Sequence, residues 1–564
     1  MNETRPSRCV AAGVIVLVRD TADGKAPPMT TSYQQLAECL RGRLNSPLWR
    51  LNHLYWIENK QGQMQRFSMN EAQLRLHRNL WARNAVLKAR QLGISTYVAI
   101  FMLDSCLFTP GFHAGIVDKT LPDAELKLEK IRFAWEHLDY QPPGSGAQER
   151  ALAFLGGLVK QHSAEMRNGS PVLPTDARSR LAFANGSDVR LGTTMRGGTL
   201  SLLHVSELAH TAVHAPRRAR EVLTGAINSV PLSGRVILES THEGGRFGVN
   251  YELMCRAMEN RARRVLSPLD FRFFFFSWFD NPEYALPGES PGEELREYFA
   301  QLEAEQGVRL SPAQQAWYAR MSRTMGAAMR WEYPSSPQEA FNIVQEGAIY
   351  AAQLMRLRES GRIGADFPFH PHAPLYSAWD LGMSDHTAIW LVQVIGGQIY
   401  WLQHYAANQL PLEHYAGKIR EWEREFGPFT AHFLPHDAAH RDPHGQSYVA
   451  SLARLGIKAV RVVPRTTDVW RGINDLRRLL EYSWFHRNTL LGRLDPTGHR
   501  EPSGLDCLEN YRTAPPSASG SCREAPLHDA FSHSADAART FAEAASHGFL
   551  TPLGSHRPSR ARME

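Results

Sequence analysis

Apolar positions change rhythm three times along this chain. Over residues 51–350, short apolar runs alternate with longer amphipathic stretches, the pattern of an α/β domain built on a largely parallel sheet. Within it, Ala85-Val86-Leu87 reads as the end of a strand, 97–107 as a helix, and 200–205 and 235–239 as two further strands. A fresh start follows Pro374. Residues 375–380, 387–395 and 398–405 read as consecutive strands, the last two joined into a hairpin at Gly396-Gly397. Residues 410–426 carry Leu412, Tyr415, Ile419 and Trp422 at helical spacing, and another strand covers 431–435. The segment 492–520 is poor in core-type residues and rich in Gly, Pro and Ser, so it reads as a loop or insertion. The expected divisions are an N-terminal extension over 1–50, an α/β domain over 51–350, a second α/β domain over 351–549, and a basic tail over 550–564.

Composition narrows the class. With 564 residues, 43% hydrophobic, 21% charged and 10% aromatic, the chain is an ordinary globular protein and not a disordered, collagenous or coiled-coil one. The apolar run over 10–18 falls short of the ~18 residues of a membrane-spanning helix, and it ends in Arg19-Asp20 where a signal peptide needs a small-residue cleavage site. A cytosolic protein is therefore expected, with no membrane partner. The six cysteines form no Cys-x-x-Cys pair and no zinc-finger spacing, which suggests reduced, structural thiols. A net charge of +6 permits a polyanionic partner without requiring one.

The first chemistry-bearing stretch is Lys88-Ala89-Arg90-Gln91-Leu92-Gly93-Ile94-Ser95-Thr96, set between a strand and a helix. Strand, tight loop and helix N-terminus cradle phosphates, because free backbone N–H groups and the positive end of the helix dipole converge on the anion. The usual P-loop has Lys just before Ser/Thr, where this chain has Ile94, and Lys88 replaces the opening Gly. A second strand, 200–205, ends in Ser206-Glu207, where a magnesium ligand and then a water-orienting carboxylate belong; Ser206 stands in place of the usual Asp. A third runs from Arg235 to Glu239 into the polar turn Ser240-Thr241-His242-Glu243-Gly244-Gly245, suited to sensing nucleotide state.

The second stretch is a set of acids. Asp380 closes an apolar strand, a hairpin and helix follow, and Asp437 closes the next strand in His432-Phe433-Leu434-Pro435-His436-Asp437. That order is the order of a ribonuclease-H-like nuclease. Near the C-terminus, Asp529 and Asp536 flank the start of an amphipathic helix, and one of them can join the other two. Phosphodiester hydrolysis uses such a cluster to hold two divalent ions ~3.5 to 4 Å apart, and hard oxygen ligands favour magnesium or manganese. His436 and His533 are either supports of the site or ordinary structural histidines.

Together these phrases resemble the large terminase subunits of tailed phages, whose variant Walker A reads Lys-x-Arg-Gln-x-Gly-x-Ser-Thr with the lysine at the front. Ser277-Trp278-Phe279-Asp280-Asn281-Pro282, the stretch from Glu332 to Phe341, and the Asp-x-Gly, Pro-His-Asp and Ser-His-x-x-Asp-Ala phrases are similar as well, so the resemblance runs over about 51–549. It implies a P-loop packaging ATPase followed by a ribonuclease-H-like nuclease. Lys88, Arg90 and Gly93 would line the phosphates of ATP, Ser95 would bind magnesium with Thr96 beside it, and Glu207 would be the catalytic carboxylate. Gln73 would read adenine, unless it is a solvated helix glutamine. Arg196 would touch DNA or a neighbouring subunit's phosphate, unless it is a surface arginine by a glycine turn. Asp380, Asp437 and Asp536 would be the catalytic metal ligands, Asp536 preferred to Asp529 because the family's last acid precedes Ala at a helix start. The implied partners are double-stranded DNA, a portal protein, a small terminase subunit and further copies in a ring on the portal. The implied setting is the bacterial host cytoplasm, with transient residence on the procapsid and absence from the mature virion. Arg217-Arg218-Ala219-Arg220 and Arg261-Arg263-Arg264 are DNA-backbone candidates, or solvated helix faces. Two rivals stand beside this reading: an inactive prophage relic or nucleic-acid-binding packaging component, and an ATP-dependent helicase or repair nuclease.

Overall fold

The computed structural model describes residues 42–195, 197–243, 245–246, 248–263, 265–341, 347–382, 386–439, 447–466, 468–493, 500–514 and 525–550. Most of the N-terminal extension and the basic tail beyond Leu550 lie outside these residues. The chain divides into two compact units, Met1–Ile343 and Val344–Glu564.

The first unit is built on an eight-stranded sheet. Its strands are β1 (Arg83–Lys88), β2 (His113–Val117), β3 (Thr175–Ala177), β4 (Arg180–Ala182), β5 (Asp188–Leu191), β6 (Leu202–Ser206), β7 (Arg235–Ser240) and β8 (Phe271–Phe276). Their order is β8-β1-β7-β6-β2-β5-β4-β3. The pairings from β8 through β5 are all parallel, and β4 and β3 add an antiparallel edge. Strands covered on both faces read as continuous apolar runs, which is why β1, β6 and β7 bury nearly every residue. Alternate side chains serve alternate cores. Val86, Leu202, Ile237 and Phe276 meet helices α2 (Ile94–Phe108) and α3 (Leu121–Glu136), whereas Leu87, Val205, Val236 and Leu238 face α5 (Val249–Asn260), with α4 (Leu208–His214) between in sequence. Helix α1 (Glu71–Arg78) precedes β1. Because β7 lies between β1 and β6, the loops leaving these three strands open at the same C-terminal edge, the edge where open α/β sheets bind ligands.

The second unit carries β9 (Ile363–Ala365), β10 (Leu375–Asp380), β11 (His386–Ile395), β12 (Gln398–Asn408), β13 (Ala431–Leu434), β14 (Val460–Val462) and β15 (Ser483–His486), in the order β9-β15-β12-β11-β10-β13-β14. The first three long strands form an antiparallel meander, and β13 then returns parallel to β10 on its other side. This is the ribonuclease-H-like arrangement expected from the sequence. Helix α6 (Leu412–Phe426) lays Tyr415, Ile419 and Trp422 on one face; α7 (Val469–Leu480) and α9 (Ser532–Ser546) cover the other. The alanines of α9 bring it close enough for the Trp390 indole to donate to the Ser534 carbonyl at 2.8 Å.

One expectation needs correction. Within 492–520, residues 504–510 form helix α8 (Gly504–Asn510), started by a Ser503–Asp506 capping box. Leu505, Leu508 and Tyr511 are buried in the second core. The surrounding Gly, Pro and Ser hid a short helix of genuine core; residues 494–499 and 515–524 lie outside the described residues.

Candidate functional site

Lys88 ends β1, and the loop after it turns through left-handed backbone at Gln91 (φ 53°) and Gly93 (φ 73°) before α2 begins. The loop is fastened from three sides. The Gln73 amide donates to the Gly93 carbonyl at 2.8 Å while its Oε1 caps α1 by accepting from Asn70 N–H. Tyr284 Oη donates to the Arg90 carbonyl at 2.7 Å, and the Arg90 guanidinium pairs with Glu332. Gln73 is thus buried and occupied with the loop, not solvated. Thr96 Oγ1 accepts from Lys130 Nζ at 3.0 Å.

Glu207 follows β6 with φ 51°, a strained value for a residue with a side chain, and opens α4. The hydroxyls of Ser240 and Thr241 both donate to its Oε2, at 3.2 and 3.3 Å, and its Oε1 lies 3.6 Å from Lys88 Nζ. The expected sensor turn therefore holds the expected catalytic carboxylate directly. The residue that sequence reading missed is Glu239 on β7. Its Oε1 accepts from Ser95 Oγ at 2.7 Å and Ser206 Oγ at 2.8 Å, with His204 Nε2 at 3.3 Å, and its Oε2 lies 3.1 Å from Lys88 Nζ. Burial pushes the Glu239 carboxyl up, but Lys88 and His204 outweigh it and hold it well below the usual carboxylate range. Burial likewise pulls the Lys88 ammonium down, and Glu239 and Glu207 together raise it above the ordinary lysine value. A signal existed: Glu239, like Asp380, is an acid closing an apolar strand.

At the second sheet, Asp380 ends β10, and its Oδ2 pairs with His533 Nδ1 at 2.9 Å. Burial raises its pKa, and the nearby charge of Asp536 raises it further against the opposing hydrogen bond from His533. Asp536, on α9, receives Tyr511 Oη at 3.1 Å and Arg539 at 3.1 Å. Asp437 sits exposed on the short turn His436–Ala439 after β13, the parallel neighbour of β10. Asp529 instead holds the turn before α9, accepting from Phe531 N–H at 2.9 Å, and faces Arg512 at 3.6 Å. So the buried His533 of α9 ties Asp380 to the helix that carries Asp536. The three aspartates do not converge on one point: among the described residues, ligand atoms within 4.8 Å of one another are found only for His210, His214 and Glu243. Carboxylates without a cation repel, and Arg539 occupies Asp536. The oxygen-only donor set fits a hard divalent ion, and a raised Asp380 is what such an ion would offset.

Arg196 and Arg264 lie outside the described residues. Arg218 is tied to the Lys119 carbonyl, whereas Arg217 and Arg220 are exposed; Arg263 pairs with Asp270 at 3.4 Å.

No family model and no curated protein matches this chain. Among solved structures it is similar to the large terminase of a thermophilic bacteriophage, at 14% identity over 84% of this chain and 98% of that one, with a TM-score of 0.28. It is similar to the large terminase ATPase domain of Thermus phage P74-26, at 16% identity over 48% and 94% of the two chains and a TM-score of 0.26. A third is the large terminase nuclease of thermophilic phage G20c with bound cobalt, at 16% identity over 35% and 98%, with a TM-score of 0.25. Likenesses this loose carry no functional weight, and the reading of the site rests on the chain's own residues.

Proposed function

We propose that this chain is the large terminase subunit of a tailed phage or prophage, an ATP-driven DNA translocase joined to a metal-dependent endonuclease. The observation that carries the reading is the pairing, in one chain, of a strand–loop–helix with Lys88 facing two carboxylates and a ribonuclease-H-like sheet whose Asp380 is bound by His533 of the helix that also carries Asp536. In the first unit the loop from Lys88 to Thr96 binds the phosphates of ATP, with Lys88, Arg90 and Gly93 against the anion and Ser95 toward magnesium. Gln73 sets the loop and borders the base. Glu207 orients the attacking water, held by the hydroxyls of Ser240 and Thr241. In the second unit Asp380, Asp437 and Asp536 would have to draw together to hold magnesium or manganese, which would supply an activated water and stabilise the departing oxygen. His533 keeps Asp380 oriented. Double-stranded DNA is the substrate, contacted mainly on its backbone in a salt-dependent way. A portal protein, a small terminase subunit and further copies in a ring complete the motor, in the host cytoplasm and transiently on the procapsid. Among the described residues no helix is long and apolar enough to cross a membrane.

Two substitutions separate the activities. Glu207→Gln abolishes DNA-stimulated ATP hydrolysis and leaves plasmid cutting in manganese intact. Asp380→Ala does the reverse. Cutting retained by Asp380→Ala, or ATP turnover retained by Glu207→Gln, overturns the corresponding assignment, and duplex unwinding without portal favours a helicase.

A further inference from the structure

The weakness of the nucleotide site on paper is Ser206, which stands where an aspartate normally helps hold magnesium. The fold supplies an acid at the same place from the next strand. Ser206 and Glu239 are direct partners in the parallel pairing of β6 and β7. The Glu239 side chain is fully buried, at 0% exposure. Its Oε1 gathers the hydroxyls of Ser95 and Ser206, so it touches both the metal-binding position of the phosphate loop and the residue that replaced the acid. Its Oε2 pairs with the Lys88 ammonium at 3.1 Å. A carboxylate needed only to neutralise Lys88 has no reason to engage Ser95, and Glu207 already lies 3.6 Å from the same ammonium. Oxygen donors from a carboxylate and a hydroxyl are the set a small hard cation takes beside phosphates.

We infer that Glu239 is the magnesium-side carboxylate of the ATPase site, reaching from β7 to do what an aspartate at 206 would do, with the Ser206 hydroxyl holding it in place. This rests on reading the 88–96 loop as a nucleotide site. The exchange of acid between neighbouring strands leaves the charge of the site unchanged and moves only its point of attachment.

The test measures binding of a fluorescent ADP analogue to the full chain, with magnesium and with EDTA. In the wild type magnesium tightens binding by about tenfold or more, equal to ~1.4 kcal/mol. Glu239→Gln loses the magnesium increment, so that its affinities with magnesium and with EDTA become equal whatever their level; Ser206→Asp added to Glu239→Gln restores the difference. Should Glu239→Gln fail to fold, Glu239→Asp keeps the charge next to Lys88 and is expected to shrink the magnesium increment. Equal increments in wild type and variants, or loss of all measurable binding in a folded variant, overturn the role given to Glu239. No binding by the wild type in either buffer overturns the nucleotide reading itself.

Discussion

Single positions already separate packing from chemistry. Gly504 opens α8 against the Trp390 ring, and a Cβ there would also meet His404 Cγ at 2.6 Å. Gly504→Ala is therefore expected to cost about 1–3 kcal/mol by overpacking. Gly417, inside α6, has nothing within 4 Å of a Cβ, and Gly417→Ala is expected to gain ~0.5–1 kcal/mol from helix propensity. Urea melts of both variants check this, and a stable Gly504→Ala would refute the packing described. A residue's place in the fold was readable wherever local context set it: Lys88 at a strand end, Ser95 at a helix start, Asp380 closing an apolar run. Glu239 was passed over because its meaning comes from two partners far along the chain, Ser95 and Ser206, that only the strand order brings to it. The buried engagement of Gln73 with Gly93 was hidden for the same reason.

At the scale of elements, the long strands and the amphipathic helix α6 followed from periodicity, whereas α8 did not, since a seven-residue helix offers too few apolar positions to stand out among Gly, Pro and Ser. Two histidines tie strands of the second sheet to their neighbours. His404 on β12 meets Ser534 of α9 at 2.9 Å, and His432 on β13 meets Ser377 of β10 at 2.7 Å. Burial disfavours their imidazolium forms, so their pKa values drop to about 3 and about 4 from the ordinary 6.5. A depressed folded-state pKa means that the unfolded chain takes up the proton first. Their stabilising contribution is full above pH 6.5 and is lost as the pH falls from 6.5 toward 4 and 3. At pH 5 the loss reaches up to about 2 kcal/mol for each. Denaturant melts of wild type and of His404→Gln with His432→Gln, compared at pH 7 and pH 5, should show a smaller pH-dependent loss in the variant. An identical loss in both would mean that other groups set the acid sensitivity.

Each unit of the whole chain has a sheet of its own with cores on both faces, which makes each a candidate cooperative block. Ligands that bind only the folded form then stabilise only the block that holds their site. A nucleotide with magnesium at about one hundred times its dissociation constant adds ~2.7 kcal/mol, and the same arithmetic applies to manganese at the acids of the second sheet. Calorimetry of the full chain is expected to show two transitions. ADP with magnesium raises one, and Lys88→Ala removes that response. Manganese raises the other, Asp380→Asn removes that response, and Gly504→Ala lowers this second transition alone. The metal effect has a further signature, because Asp380 is raised by its buried setting and by Asp536. In metal-free buffer at neutral pH its charged form weakens the fold, so Asp380→Asn should raise the second transition there, and the difference should vanish as the pH falls below the ordinary aspartate value of 3.8. A variant that melts lower than wild type without metal would show that Asp380 holds the sheet together and is not kept under electrostatic stress for a cation.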